Sequence, residues 1–258
     1  MKETQDTHQQ KSLKVLLVGD SCYDYYHYGE VNRISPEAPI PIFDYRYTQK
    51  KNGMAANVLE NLLALNVSVN IHTRYTENKN RYIDLKSKQQ LLRMDQQIEP
   101  EGYNSIIYDI VKYDQYDAII ISDYGKGFVS VKDYERLREN FGGPIFVDTK
   151  DKNLDLYEGA IVKINQYEYE NSDHGFDLEN LIVTHGSEKV TWHDQVFYPP
   201  KVHTHDVCGA GDTFLAALAV RYIETYDMPE SIEYAMKAAS ITVKHTGVYA
   251  PTREEIET

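Results

Sequence analysis

The stretch from His205 to Phe214, HDVCGAGDTF, sets two glycines and an acid directly before an apolar run. Gly209 and Gly211 permit close backbone approach and unusual dihedrals. They lead into a helix, whose first N–H groups have no intrahelical partner and point outward. Those donors and the helix dipole together make an anion site. Asp212 stands in that site, either as an N-cap or as a catalytic base held beside a bound anion. The residues alone leave both roles open, because glycine-rich turns before helices are common. Cys208 has two readings as well. A thiol at a helix N-terminus can be activated by a lowered pKa, and a free cysteine can simply be a small packing residue. Elsewhere, Asn165 and Glu168 stand at i, i+3 spacing, which places both on one face of a helical turn.

The elements that must position these residues are legible as hydrophobic runs. Residues 14–19, 117–122, 144–149, 159–165 and 180–186 are apolar without alternation, as in strands buried on both faces. Helix-like segments at 55–66 and 129–141 lie between them, which predicts a parallel sheet with right-handed crossovers. Segments 40–48 and 80–95 mix β-branched and aromatic residues with polar ones, the pattern of strands with one wet face. They predict a small antiparallel sheet beside the main one, serving as a lid, an interface or a decorated edge. The helix opening at Gly209 is apolar almost all round and therefore buried. A further helix follows, with Pro229 in its first turn and Gly247 at its C-cap. The predicted organisation is a frayed polar tail over 1–13 and a single domain over 14–258, with the lid drawn from about 40–50 and 80–95.

Charge narrows the partners. The 258 residues carry 27 basic and 40 acidic side chains, a net charge of −13, which argues against nucleic acid and anionic membranes. The densest basic cluster, YTQKK at 47–51, reads as a solvated turn. Two distant cysteines, Cys22 and Cys208, form neither a disulfide framework nor a metal pattern, so a reduced, cytoplasmic setting is expected. No signal peptide is visible, and no apolar run approaches the roughly 20 residues that span a bilayer. With 22 tyrosines against 7 phenylalanines, much aromatic surface is able to sit half-exposed.

The motifs resemble a known family. DVCGAGD at 206–212 is similar to the DTxGAGD signature of the PfkB/ribokinase family of carbohydrate kinases. GDSCYDYYHYGEVNRISPEAPIP, from Gly19 to Pro41, looks like the N-terminal motif of one branch, the heptose-7-phosphate kinases. These are the kinase half of the ADP-heptose synthesis enzymes. KQQLLRMD (88–95), ISDYGKG (121–127) and VDTK (147–150) resemble the same branch in the same order, so the resemblance covers residues 14 to 252. It implies a ribokinase-like three-layer α/β/α fold with a mostly parallel sheet and a small β-sheet lid. It also implies phosphoryl transfer from ATP, with Mg2+, to a hydroxyl of a sugar or sugar phosphate, and a homodimer formed through the lid.

Roles follow from the resemblance residue by residue. Asp212 matches the base that takes the proton from the attacking hydroxyl. The amides of Gly209, Ala210 and Gly211 match the anion hole around the transferring phosphoryl group. Asn165 and Glu168 match the N-x-x-E pair that organises Mg2+ through water, and Asn165 also belongs to the nucleotide side. Thr184 and Gly186 match the nucleotide-side T-x-G. Asp20 and Asp24 match acidic residues that recognise sugar hydroxyls, and Gly53 and Asn57 match the sugar loop. Arg33, Gln90, Arg93 and Lys126 are candidates for meeting a phosphate on the acceptor.

The chain also departs from the family. Met54 replaces the second glycine of the sugar loop, and Cys208 replaces a small or hydroxyl residue. Segments between 76 and 80 and between 170 and 180 are short, and the G-D-x-x-G element is absent. No nucleotidyltransferase domain follows, so the second activity of ADP-heptose synthesis is expected on another chain. Two other readings stay open: a PfkB-type kinase of a different sugar, and a kinase-like binding protein impaired in turnover.

Overall fold

Val15, Leu16, Leu17 and Val18 are fully buried, yet they serve two cores, because successive strand residues face opposite sides of a sheet. Val15 and Leu17 pack against one helical layer, Leu16 and Val18 against the other. The computed structural model describes residues 12–98, 112–173 and 180–258, so most of the polar tail lies outside the described residues. Its backbone is one ten-stranded sheet. The strands are β1 (Lys14–Ile34), β2 (Pro41–Met54), β3 (Ser68–Asp84), β4 (Gln90–Gln97), β5 (Ala118–Asp123), β6 (Ile145–Thr149), β7 (Ile161–Asn165), β8 (Leu181–Thr184), β9 (Val190–Trp192) and β10 (Gln195–Phe197). The order across the sheet is β10-β9-β8-β7-β6-β5-β1-β3-β4, with β2 on β1. Strands β3, β1, β5, β6, β7 and β8 run parallel, and the two ends of the sheet close with antiparallel pairs.

Among the described residues, six α-helices flank the sheet: α1 (Ala55–Ala64), α2 (Val131–Asn140), α3 (Gln166–Glu170), α4 (Ala210–Thr225), α5 (Met228–Thr242) and α6 (Arg253–Glu257). Helices α1, α4, α5 and α6 share a core with one face of the sheet, while α2 covers the other. This is the three-layer α/β/α architecture, with a mostly parallel mixed sheet. Every residue of α4 from Asp212 to Val220 is buried, as its all-round apolar sequence requires. Pro229 stands in the first turn of α5, where its missing N–H costs nothing. Gly247 does not cap α5. The helix ends at Thr242 with Val243 as its cap, and Gly247 lies beyond that cap at φ 69°. Among the described residues, no helix is long and apolar enough to cross a membrane.

The lid differs from the separate antiparallel sheet expected from sequence. Strand β1 does not stop near Gly19 but runs on for 21 residues, pairing with β2 antiparallel and with β3 parallel. A register shift at Ser21/Cys22 marks where the strand leaves the main sheet, as bulges commonly do. The lid is therefore a mixed four-stranded extension, β2-β1-β3-β4, continuous with the main sheet. In it Cys22, Asp24 and Tyr26 are buried, and Tyr23, Tyr25 and His27 are half-buried. Segment 80–95 is a hairpin made of the end of β3, a turn at 85–89 and most of the exposed strand β4. YTQKK is the end part of β2 rather than a turn.

Candidate active site

Asp212 is third in α4, and Gly209 caps that helix in the left-handed conformation at φ 78°. A Cβ at Gly209 would sit 2.7 Å from the Asn57 amide and 2.9 Å from Val248, so only glycine fits. The Asp212 side chain is buried, and two neutral donors hold it. Asn57 Nδ2 donates to Oδ2 at 2.8 Å, and the Tyr124 hydroxyl donates to Oδ1 at 2.9 Å. Burial raises its pKa, nearby Asp148 adds to this, and the donors with Lys163 oppose it; the net value is about 6. That is a buried carboxylate poised to exchange a proton near neutral pH. Of the expected anion-hole amides, Ala210 N–H already donates to Val207 O at 3.3 Å, because the turn before the helix closes there. The amides of Gly209 and Gly211 flank it.

Sequence reasoning missed the cation beside them. Lys163, on β7, is buried and donates to Asp148 Oδ2 at 2.7 Å. Its ammonium lies 3.1 Å from where a Cβ of Gly211 would be. The available signal was a lysine inside an otherwise apolar strand, a placement that demands a buried partner. Asp148 Oδ1 is buried without a hydrogen-bond partner. Nearby, Asn165 and Glu168 form a capping box at α3: Asn165 Oδ1 accepts from Glu168 N at 2.9 Å, and Glu168 Oε2 accepts from Asn165 N at 2.8 Å. Glu168 Oε1 pairs with Lys150. Burial works against the Lys150 charge, but Asp148, Glu168 and Asp212 outweigh it and hold its pKa above the ordinary value.

Mg2+ keeps several waters and takes one or two carboxylates. The orphaned Asp148 Oδ1 fits that demand, whereas the Glu168 oxygens are already taken by Lys150 and the Asn165 N–H. The two carboxylates do not make a closed cage: among the described residues, no group of three or more His, Cys, Asp or Glu is arranged to hold a metal directly.

Lining the lid side, Asp20 is buried, and its Oδ2 accepts from the backbone N–H groups of Tyr124 and Lys126 at 3.0 and 3.1 Å. Its Oδ1 is buried and unpartnered, and burial raises its pKa above the ordinary value. The loop that supplies those donors is itself fixed by Asp123, which accepts from Gly125 N, Thr149 and Tyr157. Asp24 Oδ1 receives Arg81 Nη2 at 2.9 Å and Nε at 3.2 Å. Gly53 lies across the ladder, and a Cβ there would meet Asp24 Oδ2 at 2.5 Å and Cys22 Sγ at 2.6 Å. Met54 follows at φ 61°, ψ −135°, a conformation that favours glycine, with its side chain buried. Lys126 pairs with Glu77 at 2.9 Å, as does Lys79 at 3.1 Å.

Arg81, Glu77 and Tyr124 were not singled out from sequence, since their partners lie many residues away. Arg33, Gln90 and Arg93 lie on exposed parts of the lid strands, and the Arg93 guanidinium is spent on Asp95 at 2.7 Å. Thr184 ends β8 and donates to Ile164 O at 3.3 Å; Gly186 turns the chain at φ 58°. Cys208 is half-buried, and burial raises its thiol pKa rather than lowering it; Asp206 also raises it, against Arg81. Burial and Asp206 thus oppose an activated thiol at this position.

Three comparisons bear on this geometry. Residues 165–255 match the family model described as pfkB family carbohydrate kinase. A curated relative from a Nitratiruptor species, named Bifunctional protein HldE, is 30% identical over 302 positions, covering 95% of this chain and 64% of the relative. The protein of that name from Actinobacillus pleuropneumoniae is 30% identical over 303 positions, covering 95% and 63%. The chain thus spans less than two thirds of the length of these relatives. The alignments are also longer than the 258 residues here, so the relatives carry segments that this chain lacks. Among solved structures, the tetrameric inhibited form of phosphofructokinase-2 from Escherichia coli superposes with TM-score 0.69 at 14% identity, covering 95% of this chain and 97% of that one. Arabidopsis thaliana ribokinase complexed with ribose and ATP gives 0.66 at 16%, covering 95% and 98%. At such identities the likeness speaks for the fold.

Proposed function

The chain belongs to the PfkB family of carbohydrate kinases, and from that premise we propose that it phosphorylates a hydroxyl of a heptose 7-phosphate with ATP and Mg2+. The observation that carries the reading is Asp212: a buried carboxylate at the mouth of a helix N-terminus, held by two neutral donors, with its pKa near 6. The heptose acceptor is favoured by the stretch from Gly19 to Pro41 and by the 30% identical relatives named HldE. Two free cysteines accord with a cytoplasmic setting.

On this reading the chain's own residues do the following. When bound, Mg–ATP supplies the phosphoryl group, with part of its charge neutralised by the metal. Asn165, Glu168 and Asp148 would hold the metal through water, and Thr184 and Gly186 would serve the nucleotide side. Lys163 and the amides of Gly209 and Gly211 hold the negative charge of the transferring group. Asp20 and Asp24 accept from acceptor hydroxyls, and Arg81 aims Asp24 by holding one of its oxygens. Lys126 offers its ammonium toward the acceptor's phosphate. Asp212 takes the proton from the attacking hydroxyl, while Asn57 and Tyr124 fix its two oxygens.

A second reading, a PfkB kinase of another sugar, is favoured by Met54, a buried side chain where the sugar loop otherwise carries glycine. A coupled assay with purified protein, ATP and a panel of sugars and sugar phosphates separates the two. Turnover on heptose 7-phosphate is expected; turnover confined to an unphosphorylated sugar sinks the heptose assignment and keeps the kinase.

A further inference from the structure

Lys51 sits near the end of β2, half-buried, and its ammonium turns to the backbone of a distant loop. It donates to two backbone carbonyls, Val248 O at 3.0 Å and Thr246 O at 3.4 Å. Both belong to the loop that follows α5, some two hundred residues away in sequence. Carbonyl oxygens converging on one positive charge are the coordination that a monovalent cation receives. Burial lowers the pKa of this lysine, with Asp206, Cys208 and Asp24 opposing.

The loop leads to the anion site by a short chain of contacts. Gly247 N donates to Asp206 Oδ2 at 2.8 Å, and Cys208 N donates to Asp206 Oδ1 at 3.0 Å. Asp206 therefore clasps the loop to the turn that enters α4. Next in the loop, Val248 packs against Gly209, 2.9 Å from where a Cβ would be, opposite the Asn57 amide that also holds Asp212. Gly247 is buried at φ 69°, and a Cβ there would sit 3.2 Å from Lys51 Nζ and 3.1 Å from the Tyr26 hydroxyl. The loop has no slack in which to relax.

We propose that the Lys51 ammonium is a tethered monovalent cation: it ties lid strand β2 to the 246–248 loop and thereby holds the Gly209 end of the anion site in register. Lys51 is then a positioning residue, and the protein needs no free monovalent ion to order this loop. The catalytic part of the proposal rests on the kinase reading above; the cation part does not.

The experiment pairs two variants. Lys51→Ala removes the charge and leaves room beside the two carbonyls, whereas Lys51→Met removes the charge and fills the room. Thermal unfolding is measured in KCl, NH4Cl and tetramethylammonium chloride at equal ionic strength. The wild type is expected to unfold at one temperature in all three. Lys51→Ala is expected to gain about 2–4 °C in the small cations over the large one, the shift that about 1 kcal/mol gives a chain of this size, and Lys51→Met is expected to gain nothing. With the acceptor on which the wild type turns over, kcat of Lys51→Ala should fall roughly tenfold in tetramethylammonium, as the loss of one charge-assisted bond predicts. It should recover in NH4Cl, with the acceptor KM within about twofold. Lys51→Ser takes the same measurements where the alanine variant does not fold. Unfolding of both small variants that ignores the cation overturns the proposal, and so does a raised acceptor KM at unchanged kcat, which would make Lys51 a substrate ligand. A wild type that turns over no acceptor refutes the kinase reading alone, since the cation-dependent unfolding is read without activity.

Discussion

Asp24 and Asp212 are both buried aspartates, one in the lid and one at the head of α4, and the chain treats them differently. Asp24, in the lid, receives a guanidinium: Arg81 makes two bonds to one of its oxygens. Asp212, at the head of α4, receives only an amide and a phenol. A cation partner pins a carboxylate through charge-assisted hydrogen bonds. Neutral donors orient it while burial raises its affinity for a proton, here to a pKa of about 6. A carboxylate meant to recognise hydroxyls wants the first arrangement, and one meant to take a proton wants the second. Under the proposed function, the partner's charge, more than the acid itself, divides the roles.

The sharpest way to break this contrast is Asp212→Asn. With the base gone, kcat should fall by roughly 10²–10⁴, the usual worth of general base catalysis. Nucleotide affinity, measured by calorimetry, should stay within a few-fold. Unchanged turnover would refute the base assignment. The pH dependence follows from the same carboxylate. In the wild type, kcat should fall as pH drops below about 6, because protonated Asp212 accepts nothing. Stability runs the other way for this group. Its folded value lies above the unfolded one, so its contribution is present at low pH and is lost as pH rises through about 6. Asp212→Asn should therefore flatten the stability profile between about pH 4 and pH 6 as it abolishes turnover.

At the other end, Arg81→Met leaves Asp24 buried without its cation. Breaking one side of a buried pair costs about 3–5 kcal/mol, and both side chains here are largely shielded from solvent. Urea unfolding should show that loss. In the fraction that folds, the acceptor KM should rise while the kcat–pH profile stays at its wild-type midpoint. A shifted midpoint would mean that the two ends are not independent.

These two ends also differ in how far the sequence announces them. The strands at 14–19, 117–122, 144–149, 159–165 and 180–186 and the helix at Asp212 were legible because burial on both faces writes itself as unbroken apolar runs. Gly209 and Asp212 were legible because backbone demands and chemistry fall within a few residues. Arg81–Asp24, Lys163–Asp148 and Tyr124–Asp212 were not, since each joins residues that only the strand order brings together, and no local pattern encodes that order. The second half of β1 was hidden for another reason. It carries four tyrosines and few aliphatic residues, so no apolar run marks it as a strand, and only pairing on both sides makes it one. Lys51 was misread for the same cause, because a lysine that binds distant carbonyls looks locally like a solvated one.

The smallest effect belongs to the joint between the two ends. Met54 ends the lid strand β2 and caps α1, the helix that carries Asn57 to Asp212. Its φ of 61° with ψ of −135° is a conformation that L side chains rarely adopt and that costs on the order of 1–3 kcal/mol. Its side chain, buried to 4% exposure, recovers part of that cost by leaving water. Two substitutions separate these opposed contributions. Met54→Ala loses the burial and keeps the strain; Met54→Gly loses the same burial and releases the strain. In an ordinary helix or strand glycine is less stable than alanine by roughly 0.5–1 kcal/mol. Here the order should invert, with Met54→Gly more stable than Met54→Ala by about 1 kcal/mol in chemical unfolding. If alanine proves the more stable, the backbone at the joint is relaxed, and Met54 is held there by packing alone.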